Sequence, residues 1–270
     1  TFNADIIMVD LEDSVPTAAK SDAKDLATQW VPVLRAEGQR VMVRVNSLDT
    51  GLTRTELEAV VSPDLYGISL GKVESVWNIK DVDRLLTSLE STARVQPGGI
   101  KIIPWIESAK AVWGAREIAE SSPRVIAIAF GAEDFTNDMG IERTDAGEEV
   151  SVPRAMVPVA ARAGDVVSLD SPYVNFRDPD GMRLDAQRGR QLGFTGKFAI
   201  HPLQLDTINE VFSPSKDEIA YARRVMEAWE QAEAGGRGSL ALDGRMVDVP
   251  VVKRAQNLLA LADTIHSQAR

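Results

Sequence analysis

The sequence predicts an α/β protein, a (β/α)8 barrel of the TIM type, on three observations. Seven short β-rich runs alternate with stretches that carry apolar residues at helical spacing, which predicts a parallel sheet with right-handed crossovers. Most of the runs are continuously apolar, as in strands that are covered on both faces. Polar side chains cluster at the ends of the runs, and barrels place their chemistry at that carboxyl-terminal rim.

The seven predicted strands occupy residues 6–11, 41–46, 66–71, 100–107, 125–131, 166–173 and 196–202. Helical spacing is clearest in the stretches at 18–37 and 108–120. Seven strands could also form an open doubly wound sheet, but that fold usually has a glycine-rich strand–helix turn, which this sequence lacks. A barrel needs eight strands, so we expect its first strand to lie before Thr1, where the sequence starts without a methionine.

The character of the sequence changes after residue 212, which predicts a barrel at 1–212 and a helical and hairpin extension at 213–270. The extension starts with a helix that has a capping box at 215–218, and a glycine-rich break follows at 235–238. A hairpin turn is predicted at 243–244, and the proline at 250 suits the first turn of a last helix. It could be a lid or an arm onto a neighbouring subunit. It could equally be a terminal helix packed on its own chain.

Composition and charge narrow the class of protein. The chain has 270 residues, 44% hydrophobic and 26% charged, which is typical of a globular protein with a sizeable core. No apolar run reaches membrane-spanning length and no signal peptide is visible, so we expect no membrane partner and a cytoplasmic location. The absence of cysteine excludes disulfides, thiolate catalysis and zinc–cysteine sites. A net charge of −10 argues against nucleic acid as a partner.

Two acidic residues follow consecutive predicted strands. Glu107 ends one run, and Asp134 comes shortly after the next. Their carboxylates should face each other across the rim, where a hard divalent cation such as Mg²⁺ would take them as oxygen ligands. Without the ion the two carboxylates would repel, and one would protonate. The alternative is that each carboxylate caps the helix that follows it.

An arginine lies inside another apolar run. Arg44 in VMVRVN needs an anionic partner if its guanidinium is buried. That partner could be a structural carboxylate such as Glu12 or Asp13, or the oxygens of a substrate. A metal beside an arginine suits an α-oxo acid, which the ion chelates while the arginine stabilises a developing oxyanion. Lys72 could add a further substrate-binding charge or could simply be solvated.

The sequence resembles the citrate lyase beta-subunit-like family of CoA-ester lyases, within the HpcH/HpaI aldolase superfamily. Seven ordered motifs carry the resemblance, from about residue 3 to residue 262: ADIIMVDLEDSVP, VRVN, KVES, WIESA, FGAEDFTNDMG, GFTGKFAIHPLQLDTIN and GRMVDVPVVKRA. Members of that family include malyl-CoA, citramalyl-CoA and citrate lyases. The resemblance implies Mg²⁺ as the cofactor and a TIM barrel that assembles as a homotrimer or a larger oligomer such as a hexamer.

The resemblance also implies roles for individual residues. Glu107 of WIESA and Asp134 of GAEDF would be the Mg²⁺ ligands. Arg44 of VRVN would bind the oxo-acid oxygens. Glu12 and Asp13 of DLED would order metal-bound waters and Arg44 during catalysis.

The implied reaction is the reversible Claisen cleavage of a 3-hydroxyacyl-CoA into an α-oxo acid and the enolate of an acyl-CoA. The enolate must be protonated, and the resemblance implies that Asp248 of GRMVDVP does this in a neighbouring subunit's site. Sequence alone would make Asp248 an ordinary residue at a helix start. The glycines at 235–238 would give the extension its reach.

Two related functions compete with this prediction. One is an aldolase that cleaves 4-hydroxy-2-oxo acids to pyruvate and an aldehyde. Such enzymes usually carry a histidine base in a D.EH motif, and that position is Asp13 here, which favours the CoA-ester branch. The other is the beta subunit of a multi-chain citrate lyase that acts on an acyl-carrier thioester.

Other positions have more than one interpretation. His201 is either a hydrogen-bonded structural residue or a direct catalyst. A basic stretch could hold CoA phosphates or form a solvated face, and it comprises Arg183, Arg188, Arg190 and Lys197. Gly71 stands where many relatives have proline, which we expect to loosen the rim near Lys72. The strand and loop that help bind the CoA phosphates in this family are expected before Thr1.

Overall fold

A curled, all-parallel sheet forms the centre of the first part of the computed structural model, which describes residues 2–144 and 146–268. Its seven strands are hydrogen-bonded in chain order. They are β1 Ile7–Asp10, β2 Val41–Val45, β3 Gly67–Leu70, β4 Lys101–Ile106, β5 Ala127–Phe130, β6 Val167–Asp170 and β7 Gly196–Lys197. A parallel sheet in this order, with helices between its strands, is the half-barrel that a TIM-like fold contains.

Helices connect and follow these strands. They are α1 Lys20–Ala36, α2 Thr53–Val60, α3 Val76–Ala93, α4 Ala109–Trp113, α5 Ala115–Ala119, α6 Ala132–Met139, α7 Ser151–Ala163, α8 Pro179–Leu192, α9 Leu205–Phe212, α10 Lys216–Ala234 and α11 Val249–Gln268. Local sequence sets several ends: Ser75 and Asn78 form a capping box at the start of α3. Gly140 and Gly193 take the left-handed conformation that terminates α6 and α8.

All seven predicted strands are present, although each is shorter than its apolar run. Strands β2 to β5 are almost entirely buried, as their continuous apolar character predicts. The largest difference is β7, because the run predicted at 196–202 pairs only through Gly196–Lys197. The backbone amides of Ile200 and His201 donate to the Gln204 side chain at 2.9 and 3.2 Å, so the chain turns before the ladder can extend.

The interior of the curled sheet is filled by apolar side chains. Buried Met42, Ile103, Trp105, Ala127 and Ala129 pack as one cluster. Each large side chain in such a position contributes about 1.5–3 kcal/mol relative to exposure. The interior is therefore a packed core, and the polar side chains described below lie at the strand ends.

The chain divides by compactness into two units, Thr1–Leu205 and Asp206–Arg270. Helix α9 therefore falls almost entirely within the second unit, whereas the sequence placed the boundary after residue 212. The second unit has its own core, formed by Ala222, Val225, Val247, Val252 and Ala255. Among the described residues, no helix combines the length and the apolar character needed to cross a membrane.

The second unit contains the hairpin and helices that the sequence predicts. Strands β8 Leu240–Leu242 and β9 Arg245–Val247 pair in antiparallel fashion. Their turn residues, Asp243 and Gly244, have φ values of 49° and 74°, as a tight two-residue hairpin requires. Helix α10 begins with the predicted capping box of Ser215 and Glu218.

Candidate active site

The carboxyl ends of five adjacent strands bring the predicted site residues together. β1 ends at Asp10, Arg44 lies near the end of β2, and Lys72 follows β3. Glu107 follows β4 directly, and Asp134 lies in the first turn of α6 after β5. Because parallel strands end at the same edge of a sheet, residues far apart in the chain become neighbours at this rim.

Arg44 is held by two carboxylates from β1 and the loop after it. Its Nε donates to Oδ1 of Asp10 at 2.7 Å and its Nη2 to Oδ2 at 2.6 Å, which makes a bidentate pair. Nη1 lies 3.2 Å from Oε2 of Glu12. Burial lowers the pKa of Arg44, but the hydrogen bonds and charge of Asp10 outweigh burial and raise it. Of the two partners expected from sequence, Glu12 contacts Arg44, whereas Asp13 pairs with Lys72.

An aromatic ring supports the same guanidinium. Cζ of Arg44 lies 5.8 Å from the centroid of the Trp105 ring, a cation–π contact. The indole Nε1 donates to Oγ of Ser69 at 2.7 Å, and that hydroxyl donates to the carbonyl of Ile103 at 3.2 Å. Phe198 stacks on Trp105 with 4.5 Å between ring centroids. Sequence reasoning missed Trp105 because it lies inside an apolar run and looks like any core residue.

Lys72 contacts three carboxylates. Its Nζ lies 3.2 Å from Oε1 of Glu12 and 3.1 Å from Oδ1 of Asp13. Its backbone N–H donates to Oε1 of Glu107. Burial lowers the pKa of Lys72, but the hydrogen bond to Asp13 and the charge of Glu12 raise it overall. Lys72 is therefore paired with acids at the rim, and a substrate-binding role for it stays a prediction.

Two glycines leave room for the buried carboxylates. A Cβ on Gly131 would lie 2.5 Å from Oε2 of Glu107 and 2.8 Å from its Cβ. A Cβ on Gly71 would collide with the carboxylate of Glu12. Gly71 was expected to loosen the rim, but its effect in the structure is to admit this carboxylate.

Glu107 and Asp134 line one open cavity of about 420 Å³. Burial raises the pKa of Glu107 to about 8; the charges of Asp134 and Glu12 act in the same direction, and the amide of Lys72 opposes them. Burial also raises the pKa of Asp134, and the charge of Asp13 adds to that rise. The surroundings of both acids therefore disfavour their ionised forms, and a bound cation would favour them.

Negative charge exceeds positive charge at this rim. Five carboxylates and two basic groups meet there: Asp10, Glu12, Asp13, Glu107 and Asp134, with Arg44 and Lys72. Two carboxylates beside an open cavity suit Mg²⁺, which keeps several waters and takes further ligands from a substrate. These carboxylates are not arranged as a complete set of metal ligands: in the part of the chain that the structure describes, no group of three or more Asp, Glu, His or Cys side chains is placed to hold a metal ion.

Asp248 lies in the second unit, immediately before α11. Its Oδ1 accepts a hydrogen bond from the backbone N–H of Val251 at 3.4 Å, and its carbonyl accepts one from Val252 at 3.0 Å. These contacts are those of a residue that caps a helix. A catalytic role for Asp248 stays a prediction.

The basic stretch after β6 contains a buried lysine. Nζ of Lys197 lies 2.7 Å from Oδ2 of Asp170 and 2.6 Å from Oδ2 of Asp185, and its side chain is fully buried. Arg154 binds the same two carboxylates at 2.6 and 2.8 Å. Both sequence alternatives for Lys197, a CoA-phosphate ligand and a solvated residue, are therefore wrong. The network joins β6 and β7 to helices α7 and α8.

His201 has the contacts of a structural residue. Its Nδ1 accepts a hydrogen bond from the backbone N–H of Leu203 at 3.2 Å. Its ring stacks on Phe176 with 4.6 Å between centroids. These contacts favour the structural interpretation over direct catalysis.

Comparison with known proteins identifies the family. The family model HpcH/HpaI aldolase/citrate lyase matches residues 1–202. The chain belongs to this family. The citrate lyase subunit beta of Leuconostoc mesenteroides subsp. cremoris is 37% identical over 98% of this chain and 88% of that protein. The L-malyl-CoA/beta-methylmalyl-CoA lyase of Cereibacter sphaeroides is 33% identical over 97% of this chain and 88% of that protein.

Solved structures of similar chains share the fold. The protein CitE from Mycobacterium tuberculosis, in complex with magnesium, acetoacetate and coenzyme A, has a TM-score of 0.79 at 27% identity, over 96% of this chain and 90% of that chain. A citrate lyase from Burkholderia xenovorans LB400 has a TM-score of 0.83 at 22% identity, over 96% of this chain and 84% of that chain. The resemblance inferred from the motifs is confirmed, and this family member has relatives that are named lyases.

Proposed function

We propose that this family member is a Mg²⁺-dependent lyase that reversibly cleaves a 3-hydroxyacyl-CoA, such as malyl-CoA or citramalyl-CoA, into an acyl-CoA and an α-oxo acid. One observation carries the proposal: Glu107 and Asp134 line a single cavity, and Glu107 is connected to Arg44 through Lys72 and Glu12. The names of the relatives support it, as does the magnesium, acetoacetate and coenzyme A complex of the solved neighbour.

Glu107 and Asp134 would hold the ion. When bound, Mg²⁺ would act as a Lewis acid that stabilises negative charge on the oxygens of the oxo acid. The amide of Lys72 and the space left by Gly131 keep the Glu107 carboxylate at the cavity. The pairing of Lys72 with Glu12 and Asp13 supports a role for these acids in ordering water at the site.

Arg44 would stabilise charge on the oxo-acid oxygens. The bidentate pair with Asp10 and the ring of Trp105 fix the guanidinium before the substrate binds. A donor that is fixed in advance needs little reorganisation when charge develops, which is the usual source of large electrostatic acceleration.

In the cleavage direction the 3-hydroxyl group gives up its proton to solvent water, and its oxygen becomes the 2-oxygen of the α-oxo acid. The carbon–carbon bond breaks, and its electron pair passes to the thioester as an enolate. A proton added to the enolate carbon completes the acyl-CoA. We assign that proton to Asp248 from a neighbouring subunit, which requires a homo-oligomer such as a trimer or hexamer. The closed eight-stranded barrel, this arm and a cytoplasmic location stay predictions.

A second candidate is the beta subunit of a multi-subunit citrate lyase that acts on an acyl-carrier thioester. The 37% identity to a citrate lyase subunit beta favours it. The aldolase alternative, which would release pyruvate from a 4-hydroxy-2-oxo acid, is less favoured because Asp13 occupies the position of the usual histidine base.

A panel of 3-hydroxyacyl-CoA esters, assayed for oxo-acid release with Mg²⁺ and with EDTA, tests the proposal. We expect release from at least one ester with Mg²⁺ and none with EDTA. Release that is insensitive to EDTA would contradict the metal mechanism. Turnover confined to acyl-carrier thioesters would favour the multi-subunit function, and turnover confined to CoA-free acids would favour the aldolase.

A further inference from the structure

A second cavity lies at the opposite end of the sheet from the candidate active site. Its volume is about 420 Å³, and it is open to solvent at the amino-terminal ends of β2, β3 and β4. Arg35, Arg40 and Arg94 are among the residues that line it, together with Asp64 and Tyr66. We call this cavity the arginine pocket.

The arginine pocket concentrates positive charge in an acidic protein. Three arginines and one aspartate are among the residues that line it, whereas the whole chain has a net charge of −10. Within residues 2–144 and 146–268, the ion pairs of the structure leave Arg35, Arg40 and Arg94 without a carboxylate partner. Arginine stays charged at any physiological pH. The residues that line the pocket therefore carry an excess of positive charge.

Helix ends explain only part of this cluster. Arg35 lies in the last turn of α1 and Arg94 directly follows α3, so the negative ends of both helix dipoles favour them. Arg40 lies outside the helices, in the segment before β2, where its Cζ lies 5.9 Å from the centroid of the Tyr66 ring. The dipoles do not account for three arginines that line one cavity.

Arg94 has a backbone conformation that is uncommon for a residue with a Cβ. Its φ of 58° places it in the left-handed region that terminates α3. Glycine is the usual residue there, because a Cβ makes this conformation unfavourable. The same loop uses glycine at Gly98, where φ is 78°. Arginine therefore occupies position 94 although the local backbone conformation favours glycine.

We propose that the arginine pocket binds a small organic anion that carries two or more adjacent phosphoryl groups. Guanidinium groups offer paired N–H donors that match phosphoryl oxygens, and three of them match the charge of a diphosphate. The apolar side chains of Leu65 and Val95 also line the pocket and provide a surface for the organic part of the ligand. The site is separate from the rim where the lyase chemistry is proposed, so its occupation is independent of that function.

Calorimetric titration of the full chain with pyrophosphate in EDTA tests the proposal, because EDTA removes metal-dependent binding. We expect saturable binding that weakens as NaCl is raised, since the contacts are ionic. Arg94→Gly should weaken it at least tenfold without lowering the thermal unfolding midpoint, because glycine suits the left-handed backbone. Arg162→Gln, which changes an exposed arginine on α7, should bind like the wild type.

Titrations with ADP and with the tricarboxylate tricarballylate distinguish an organic phosphate from an organic carboxylate as the ligand of the arginine pocket. Tighter binding of ADP than of pyrophosphate would support an organic phosphate, whereas tighter binding of tricarballylate than of either would contradict the phosphoryl assignment. A specific site should begin to saturate at or below about 10 mM ligand. The proposal would therefore also be overturned if pyrophosphate showed no saturable binding up to about 10 mM. Equal affinity of the wild type and the Arg94→Gly variant for pyrophosphate would also overturn the proposal.

Discussion

The backbone N–H of Lys72 donates to the buried carboxylate of Glu107, which lies 35 residues later in the chain. The amide reaches it because Lys72 has a φ of 53°, in the left-handed region. The same residue sends its ammonium group to Glu12 and Asp13. One residue thus orders the candidate metal ligand through its backbone and the neighbouring acids through its side chain.

Replacing Lys72 separates these two effects. Lys72→Gly keeps the N–H and favours the left-handed backbone, so unfolding free energy should change by less than about 1 kcal/mol. The lost charge should still lower kcat/KM for the thioester by about 10- to 100-fold, an effect of about 1.4–2.7 kcal/mol. Chemical denaturation and steady-state kinetics measure the two quantities. Lys72→Met should lose activity to the same extent; wild-type kcat/KM in either variant would show that the ammonium group has no role.

Gly131 provides the space for Glu107, so Gly131→Ala should displace the carboxylate. The added Cβ would lie 2.5 Å from Oε2, and the φ of −109° allows alanine, so the effect is local. We expect Mg²⁺ affinity to fall at least tenfold, measured by calorimetry. The matched control is Gly114→Ala, where the nearest atom would be 3.5 Å away and affinity should not change. Equal Mg²⁺ affinity in the two alanine variants would exclude this steric account.

Asp10 binds Arg44 as an ionised carboxylate. Burial raises the pKa of Asp10, but hydrogen bonds from Arg44 and Ser14 lower it more, so the folded pKa is below the unfolded value. Its contribution to stability is therefore present above the unfolded pKa of about 3.9 and is lost as pH falls through the folded pKa. Asp10→Asn should lower the unfolding free energy by about 2 kcal/mol at pH 7 and by progressively less below about pH 4.

Urea unfolding at several pH values measures this difference. Asp5→Asn is a suitable control, because Asp5 is exposed just before the same strand. A difference between wild type and Asp10→Asn that stays constant from pH 7 to pH 3 would contradict the ionic pairing.

The ring of Trp105 positions the guanidinium of Arg44 through a cation–π contact. Trp105→Phe retains a ring but removes the indole donor to Ser69 and weakens the cation–π contact. We expect kcat to fall about tenfold with little change in KM, because the loss affects charge development more than substrate binding. Trp113→Phe, at a side chain that is 81% exposed, should leave both parameters unchanged. A loss of the same size in both variants, or in neither, would argue against this positioning role.

The sequence predicts the parallel sheet and the acids at its rim better than it predicts their partners. Glu107 and Asp134 are identifiable because each follows an apolar strand. Asp10 is the last residue of β1, and its local sequence does not distinguish it from Glu12 and Asp13 nearby. Its pairing with Arg44 depends on the register between β1 and β2, which places the two residues opposite each other. Register is a property of the assembled sheet, so the local pattern favoured Glu12 and Asp13.

Lys197 illustrates a different failure. It follows several arginines in the sequence, which suggested a solvated or phosphate-binding face. Its partners, Asp170 and Asp185, come from β6 and α8, and only the packed fold brings them to the lysine. Charge patterns along the chain identify which residues are ionic, but burial decides whether they bind a ligand or each other.

The proposed lyase mechanism requires that Glu107 and Asp134 jointly bind Mg²⁺, and titration of the purified chain with MgCl₂ measures that binding. Glu107→Gln and Asp134→Asn should each weaken Mg²⁺ binding by at least 100-fold, because each removes one of two charged ligands. Glu74→Gln, which changes an exposed acid lining the same cavity, should bind Mg²⁺ like the wild type. If Glu107→Gln and Asp134→Asn both keep wild-type Mg²⁺ affinity, the metal site is elsewhere and the account is contradicted.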